Sequence, residues 1–135
     1  MYPWLETKNY EYDNTDGMYK PMCMEKDTDD FIRFSKQIMK GVFKKFKKKN
    51  KQYACNSVLD NVKEQTQRRV GEDYSVDDVF HTIFMLKDKH EMTLLRKGLD
   101  AGDVEDRITD CIVYDLMALY LLHEFYEARA EAARH

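Results

Sequence analysis

Three long stretches of the chain repeat apolar residues at helical spacing, and each predicts an α-helix with one buried face. In the first, Phe31, Phe34, Ile38, Val42 and Phe46 recur every three or four positions, with Ile32, Met39 and Phe43 widening the stripe. Thr28 followed by Asp29 and Asp30 supplies a start, and the helix is expected to run to about Lys49. A short amphipathic helix follows, with Val58, Leu59 and Val62 turned inward, Ser57 as its N-cap and an end near Arg69. The next runs from about Val76 to Lys97. Its apolar face is Val76, Val79, Phe80, Ile83, Leu86, His90 and Leu94, and a second, polar stripe comprises Asp77, His81, Phe84, Asp88 and Glu91. Ser75 with Asp78 three residues on reads as a capping box, and Gly98 as the closing C-cap. The last helix is expected to bury Val104, Ile108, Cys111, Ile112, Leu116, Leu119 and Leu122, with Asp103 at its N-cap.

These elements predict an all-α bundle of about four helices over residues 28–135, forming one domain. An N-terminal aromatic arm, residues 1–27, precedes it: Trp4, Tyr10, Tyr12 and Tyr19 surround an Asn14-Thr15-Asp16-Gly17 turn signal. That arm is expected to be irregular or a short hairpin laid on the helices, since a lone hairpin is marginal by itself.

Composition narrows the class without changing the fold. The 135 residues are 43% hydrophobic and 35% charged, as in a soluble globular domain. No apolar run reaches the roughly 20 residues a bilayer needs. Without a signal-peptide pattern at residues 1–13, the expected compartment is the cytoplasm. Cys23, Cys55 and Cys111 are odd in number and lack a C-x-x-C pairing, so they read as reduced thiols.

The net charge of −3 conceals a strong asymmetry. Residues 31–69 carry 12 basic and 2 acidic side chains, whereas residues 70–135 carry 7 basic and 15 acidic. The basic block culminates in Lys44, Lys45, Lys47, Lys48, Lys49 and Lys51. Such a run suits a solvated helix end and its dipole, or a phosphate-bearing ligand.

The acids concentrate on the last two helices. Because only about five residues join them, they must fold back antiparallel, and positions whose numbers add to about 200 lie level. Asp110 then stands beside His90 and Glu91, Asp106 beside Leu94, and Asp88 beside Ile112. If Asp88, Glu91, Asp106 and Asp110 converge, a divalent cation is their natural counter-charge, and oxygen donors favour Mg²⁺ or Mn²⁺. The plainer alternative pairs them with Lys87, Lys89, Arg96 and Arg107 at the surface. Asp115 is expected to be a buried acid held by a Tyr or Lys.

Two segments resemble the nucleotide modification associated domain 1 proteins of phages. Lys47-Lys48-Lys49-Asn50-Lys51-Gln52-Tyr53-Ala54 is similar to that family's K-x-K-x-Y-G element, and Val104 to Tyr114 resembles its I-E-D-x-x-x-D-x-x-x-Y helix. Asp88-Lys89 looks like its D-K element, and the likeness spans about residues 38–122. Ala54 stands where the family has glycine, and Val113 where asparagine is common. The resemblance implies a phage or prophage protein, acting in the host cytoplasm, with a link to nucleotide metabolism or DNA base modification. More distantly, Asp88-x-x-Glu91 and Asp106-x-x-x-Asp110 resemble the metal-binding carboxylate pairs of the all-α NTP pyrophosphatases.

Three readings of function result. In the first, Lys49, Lys51, Tyr53, Lys89 and Tyr114 hold a nucleotide, and a Mg²⁺ on the four carboxylates supports its hydrolysis. In the second the chain sequesters a nucleotide or nucleotide-derived signal without turnover, as a counter-defence protein would. In the third the lysine run binds nucleic acid, a lesser alternative. The wide apolar face of residues 28–49 favours a homo-oligomer.

Overall fold

A computed structural model describes residues 24–52 and 57–135, all of it helices and their connections. The aromatic arm up to Cys23, its expected hairpin, and Tyr53, Ala54, Cys55 and Asn56 lie outside the described residues. The helices are α1 (Met24–Gln52), α2 (Asp60–Val70), α3 (Val76–Lys97) and α4 (Val104–Arg134), with a single 3₁₀ turn at Gly98–Asp100. The fold is all-α. No helix among the described residues is long and apolar enough to cross a membrane.

The chain divides into two compact units, Met1–Lys45 and Phe46–His135. The described part of the first is the N-terminal three-quarters of α1. This helix begins at Met24, a turn upstream of the expected start at Thr28. Nothing between Met24 and Asp27 breaks a helix, and Asp27 suits the dipole's positive end as well as Asp29 and Asp30 do. Of its apolar stripe, Val42 is buried and Ile38 and Met39 are half-buried, while Phe31, Ile32, Phe34 and Phe43 are exposed.

In the second unit α3 is the central element and packs on both α2 and α4. Leu59 and Val62 from α2 and its leading turn, Val79 and Ile83 from α3, and Ala118 and Leu121 from α4 form the core. Tyr74, Leu86, Tyr114 and Met117 pack against its edge. Leu59 and Ile83 are completely buried, as the spacing of both segments predicts.

A polar contact crosses the α2–α3 interface inside this apolar layer. The hydroxyls of Thr66 and Thr82, both buried, lie 2.8 Å apart. The Thr66 hydroxyl also reaches the Val62 carbonyl at 2.7 Å, and that of Thr82 the Asp78 carbonyl at 3.0 Å. Arg69 Nη2 donates to Thr82 Oγ1 at 3.2 Å and to the Asp78 carbonyl at 3.1 Å. Among the described residues no buried side-chain polar atom is left without a partner.

The helix ends follow local chemistry. Ser75 and Asp78 form the reciprocal capping box: the Ser75 hydroxyl accepts from the Asp78 amide, and the Asp78 carboxylate accepts from the Ser75 amide at 2.9 Å. Gly98 closes α3 with φ +56°. The N-cap of α2 is Leu59 rather than Ser57 and has no side-chain cap; the Ser57 hydroxyl instead accepts from the Leu59 amide in the turn before the helix, and Asp60 Oδ2 accepts from the Ser57 amide. Asp103 departs from expectation. It occupies the N-cap of α4, but in the left-handed region at φ 58°, and its side chain makes no capping bond. The tight turn takes the conformation that Asp tolerates better than most residues, and the capping geometry is lost with it.

The buried face of α4 also differs from the expected one. Thr109, Ala118 and Leu121 are buried, whereas Ile108 and Leu119 are exposed. Between Ile108 and Leu122 the helix is apolar on most sides, so periodicity alone does not select a face. Small side chains at Thr109 and Ala118 line the side that α4 buries.

Truncation of Ile83 to alanine is expected to cost about 2–5 kcal/mol of unfolding free energy. Leu99→Ala, at a site 93% exposed, should change it by less than about 0.5 kcal/mol. Urea denaturation followed by circular dichroism measures both.

Candidate functional site

The hairpin of α3 and α4 brings the chemistry-bearing residues together, in the register expected from a hinge near residue 100. His90 Nε2 lies 3.7 Å from Asp110 Oδ2. Lys87 Nζ lies 2.9 Å from Asp115 Oδ1 across the hairpin and 3.1 Å from Glu91 Oε1 on its own helix. Arg107 Nη1 lies 3.5 Å from His90 Nδ1, and its Nε donates to the Gly102 carbonyl at 3.1 Å. The rings of His90 and Tyr114 are 6.0 Å apart, and Cys111 Sγ faces the Lys87 carbonyl at 4.0 Å.

The order of these contacts has an electrostatic logic. Arg107 can only donate, so His90 Nδ1 takes the acceptor side of that contact, and Nε2 is the ring nitrogen turned to the Asp110 carboxylate. Lys87 bridges two carboxylates on different helices, and its stem runs beside Phe84, whose ring centre is 5.8 Å from Nζ. Hydrogen bonds to Asp115 and then Glu91 hold the Lys87 ammonium above its ordinary pKa. Burial pushes the Tyr114 phenol up, and the Asp110 charge adds to it. Burial likewise raises the Cys111 thiol, which lowers its thiolate fraction and makes it a poor nucleophile.

Asp115 is held by a lysine, as its sequence context suggests, but its side chain is 52% exposed rather than buried. Its position on α4 places the carboxylate at the edge of the seam, where Lys87 reaches it.

The four carboxylates expected to share a cation are distributed differently. Glu91 is taken up by Lys87 and Asp110 lies against His90. Asp88 is exposed on α3, and Asp106 is exposed in the first turn of α4, where its carbonyl accepts the Thr109 hydroxyl at 3.0 Å. Among the described residues, no group of three or more His, Cys, Asp or Glu side chains is arranged to hold a metal ion. As placed, the donor set does not fit Mg²⁺, which demands near-octahedral oxygen ligands.

Of the expected ligand-binding residues, Tyr114 belongs to the seam, Lys89 is exposed on α3, and Lys49 and Lys51 are exposed in the last turn of α1. Tyr53 lies outside the described residues. Lys87 and Arg107 take a larger part than the motif reading assigned them. Lys87 was within reach of the same arithmetic, because Lys87 and Asp115 also lie level across the hairpin.

The lysine run forms a second chemical feature. From Phe31 to Leu59 the chain contains nine Lys and Arg residues and no Asp or Glu. Lys44, Lys45, Lys47, Lys48, Lys49 and Lys51 are all exposed, and no carboxylate stands within four positions of any of them.

Compared with protein-family models, with curated proteins and with solved structures, the chain finds no match in any of the three.

The seam gives stability a definite pH dependence. A lysine and a tyrosine whose folded pKa values are raised stabilise fully below their unfolded values, near 10.4 and 10, and lose that contribution as pH rises through the folded ones. Lys87→Met is expected to flatten the alkaline limb of a melting-temperature profile. At the other end, Ser75 holds the Asp78 carboxyl below its ordinary pKa, first through its amide and then its hydroxyl. The capping box therefore stabilises above the ordinary aspartate value and fades as pH falls through the folded one, so Asp78→Asn should flatten the acid limb in the same melts.

Proposed function

We propose that this chain binds nucleotide phosphates without turning them over, using the exposed lysines that close α1. The observation that carries the reading is the lysine run itself, six exposed ammonium groups within eight positions of one helix end. Ammonium groups distributed around a helix end act as point charges that satisfy phosphate oxygens without demanding one fixed geometry. Lys49 and Lys51 also fall within the element that resembles the phage family, which directs the phosphate towards a nucleotide or a DNA strand. Binding without hydrolysis fits the α3–α4 seam, where Glu91 and Asp110 face Lys87 and His90 rather than an open coordination site. A sequestering role against a nucleotide signal, as in counter-defence, is the form of this function that requires no catalytic group.

The test compares free nucleotides with oligonucleotides by fluorescence anisotropy over a range of salt. For a single strand, the slope of log affinity against log salt is expected to be about −0.7 per phosphate neutralised. A variant with Lys47, Lys48, Lys49 and Lys51 all changed to Gln should bind more weakly and show a flatter slope. Affinity for nucleoside triphosphates without a polymer response assigns the free ligand; the reverse assigns nucleic acid. Absence of binding to either at low salt, or Mg²⁺-dependent turnover of any nucleotide tried, sinks the proposal.

A further inference from the structure

The lysines of α1 are not spread evenly around it. Lys36, Lys40, Lys44, Lys47 and Lys51 follow one another at steps of four, four, three and four residues. At about 3.6 residues per turn they fall within an arc of about 80° and form one row along a single unbroken helix. All five are exposed, and among the described residues none of them is in an ion pair. Arg33 stands a turn before the row, where Asp30 at 3.3 Å already engages it. Lys45 and Lys49 lie on another side of the helix. The row is nearly opposite Val42, the buried residue of α1.

We propose that this row is a track for the phosphodiester backbone of a nucleic-acid strand, held without regard to base sequence; the assignment rests on the phosphate-binding reading above and narrows its ligand from a nucleotide to a polymer. Length decides between the two. From Lys36 to Lys51 the row runs about 22 Å, at about 1.5 Å per residue. Neighbouring lysines are about 5–6 Å apart at Cβ, so the joined phosphates of one triphosphate engage about two of them. A strand in a duplex presents a phosphate about every 3.4 Å of axis, enough for about six along the row. Only a polymer meets all five ammonium groups at once. Lysines satisfy phosphates as point charges, and contacts of that kind carry no base-sequence information. The placement of the row also favours a strand over a bilayer. On a helix lying in a membrane interface the apolar face makes the contact, and lysines opposite it are turned away from the lipid. A strand is held by the lysine face itself.

The experiment is fluorescence anisotropy of the full chain with labelled dTTP and with oligothymidylates of about two to about twelve nucleotides, each over a range of salt. Affinity is expected to climb steeply up to about six nucleotides and then level off. The limiting slope of log affinity against log salt should be about −3.5, or about −0.7 for each of five phosphates. Lys36→Gln with Lys40→Gln, both outside the 47–51 run, should weaken binding of the longest strand about tenfold or more at low salt and make its slope shallower by about 1.4. The same variant should leave dTTP binding and the helical circular dichroism unchanged. Oligouridylates of the same lengths assign the strand to RNA or DNA, and either assignment supports the proposal. Equal affinity for dTTP and the longest strand overturns it and leaves phosphate binding standing, whereas absence of binding to both removes both. Length-dependent binding indifferent to Lys36→Gln with Lys40→Gln also overturns it, as does binding to vesicles containing phosphatidylserine but to no strand.

Discussion

The short passage from Gly98 to Asp103 governs the second unit. With one 3₁₀ turn and two left-handed residues, it returns the chain on itself within six positions. Once α4 is turned back along α3, the level of every residue on one helix relative to the other follows from counting. His90 must then meet Asp110, and Lys87 must come near Asp115. The Arg107 side chain, bonded to the Gly102 carbonyl, ties this turn to the polar seam above it. The geometry of the hairpin and its electrostatics therefore share one origin.

That origin also explains why the seam reads as a structural device before it reads as a reactive one. Lys87 bridges the carboxylates of Glu91 and Asp115, His90 faces Asp110, and Arg107 meets His90 and the Gly102 carbonyl. Bare acids at similar spacing would attract a divalent ion. Here the Lys87 ammonium and the His90 imidazole face Glu91, Asp115 and Asp110, and burial raises the pKa of the Tyr114 phenol and the Cys111 thiol. A second concentration of charge is found on α1, whose last turns carry six exposed lysines.

Much of the fold was legible in the sequence because its signals were redundant. Helical spacing, a capping box at Ser75 and a glycine at position 98 agreed about α3, and its buried Val79 and Ile83 follow. The hairpin register needed only the length of one connection. The facing of α4 was not legible, since a helix apolar on most sides carries little phase information, and the choice fell to Thr109 and Ala118. The chemistry was less legible still. Acid spacing shows which carboxylates can share a height, but not which cation arrives first. Lys87 reaches Glu91 and Asp115 through a flexible stem, and no motif records that reach. Asp103 shows a further limit: residue type suggested a cap, while the backbone path of the turn decided otherwise.

The Thr66–Thr82 contact has a consequence that the apolar core cannot supply. Leu59, Val62, Val79 and Ile83 would gain nearly as much from burial if α2 slid along α3 by part of a turn, because burial has no preferred direction. Two hydroxyls do not share that tolerance. Moved by more than a few tenths of an ångström they part and the Thr66–Thr82 bond between the helices is lost, while each hydroxyl keeps the carbonyl of its own helix. The pair acts as a detent between two otherwise greasy cylinders, contributing little to how tightly they hold and a great deal to where they stop.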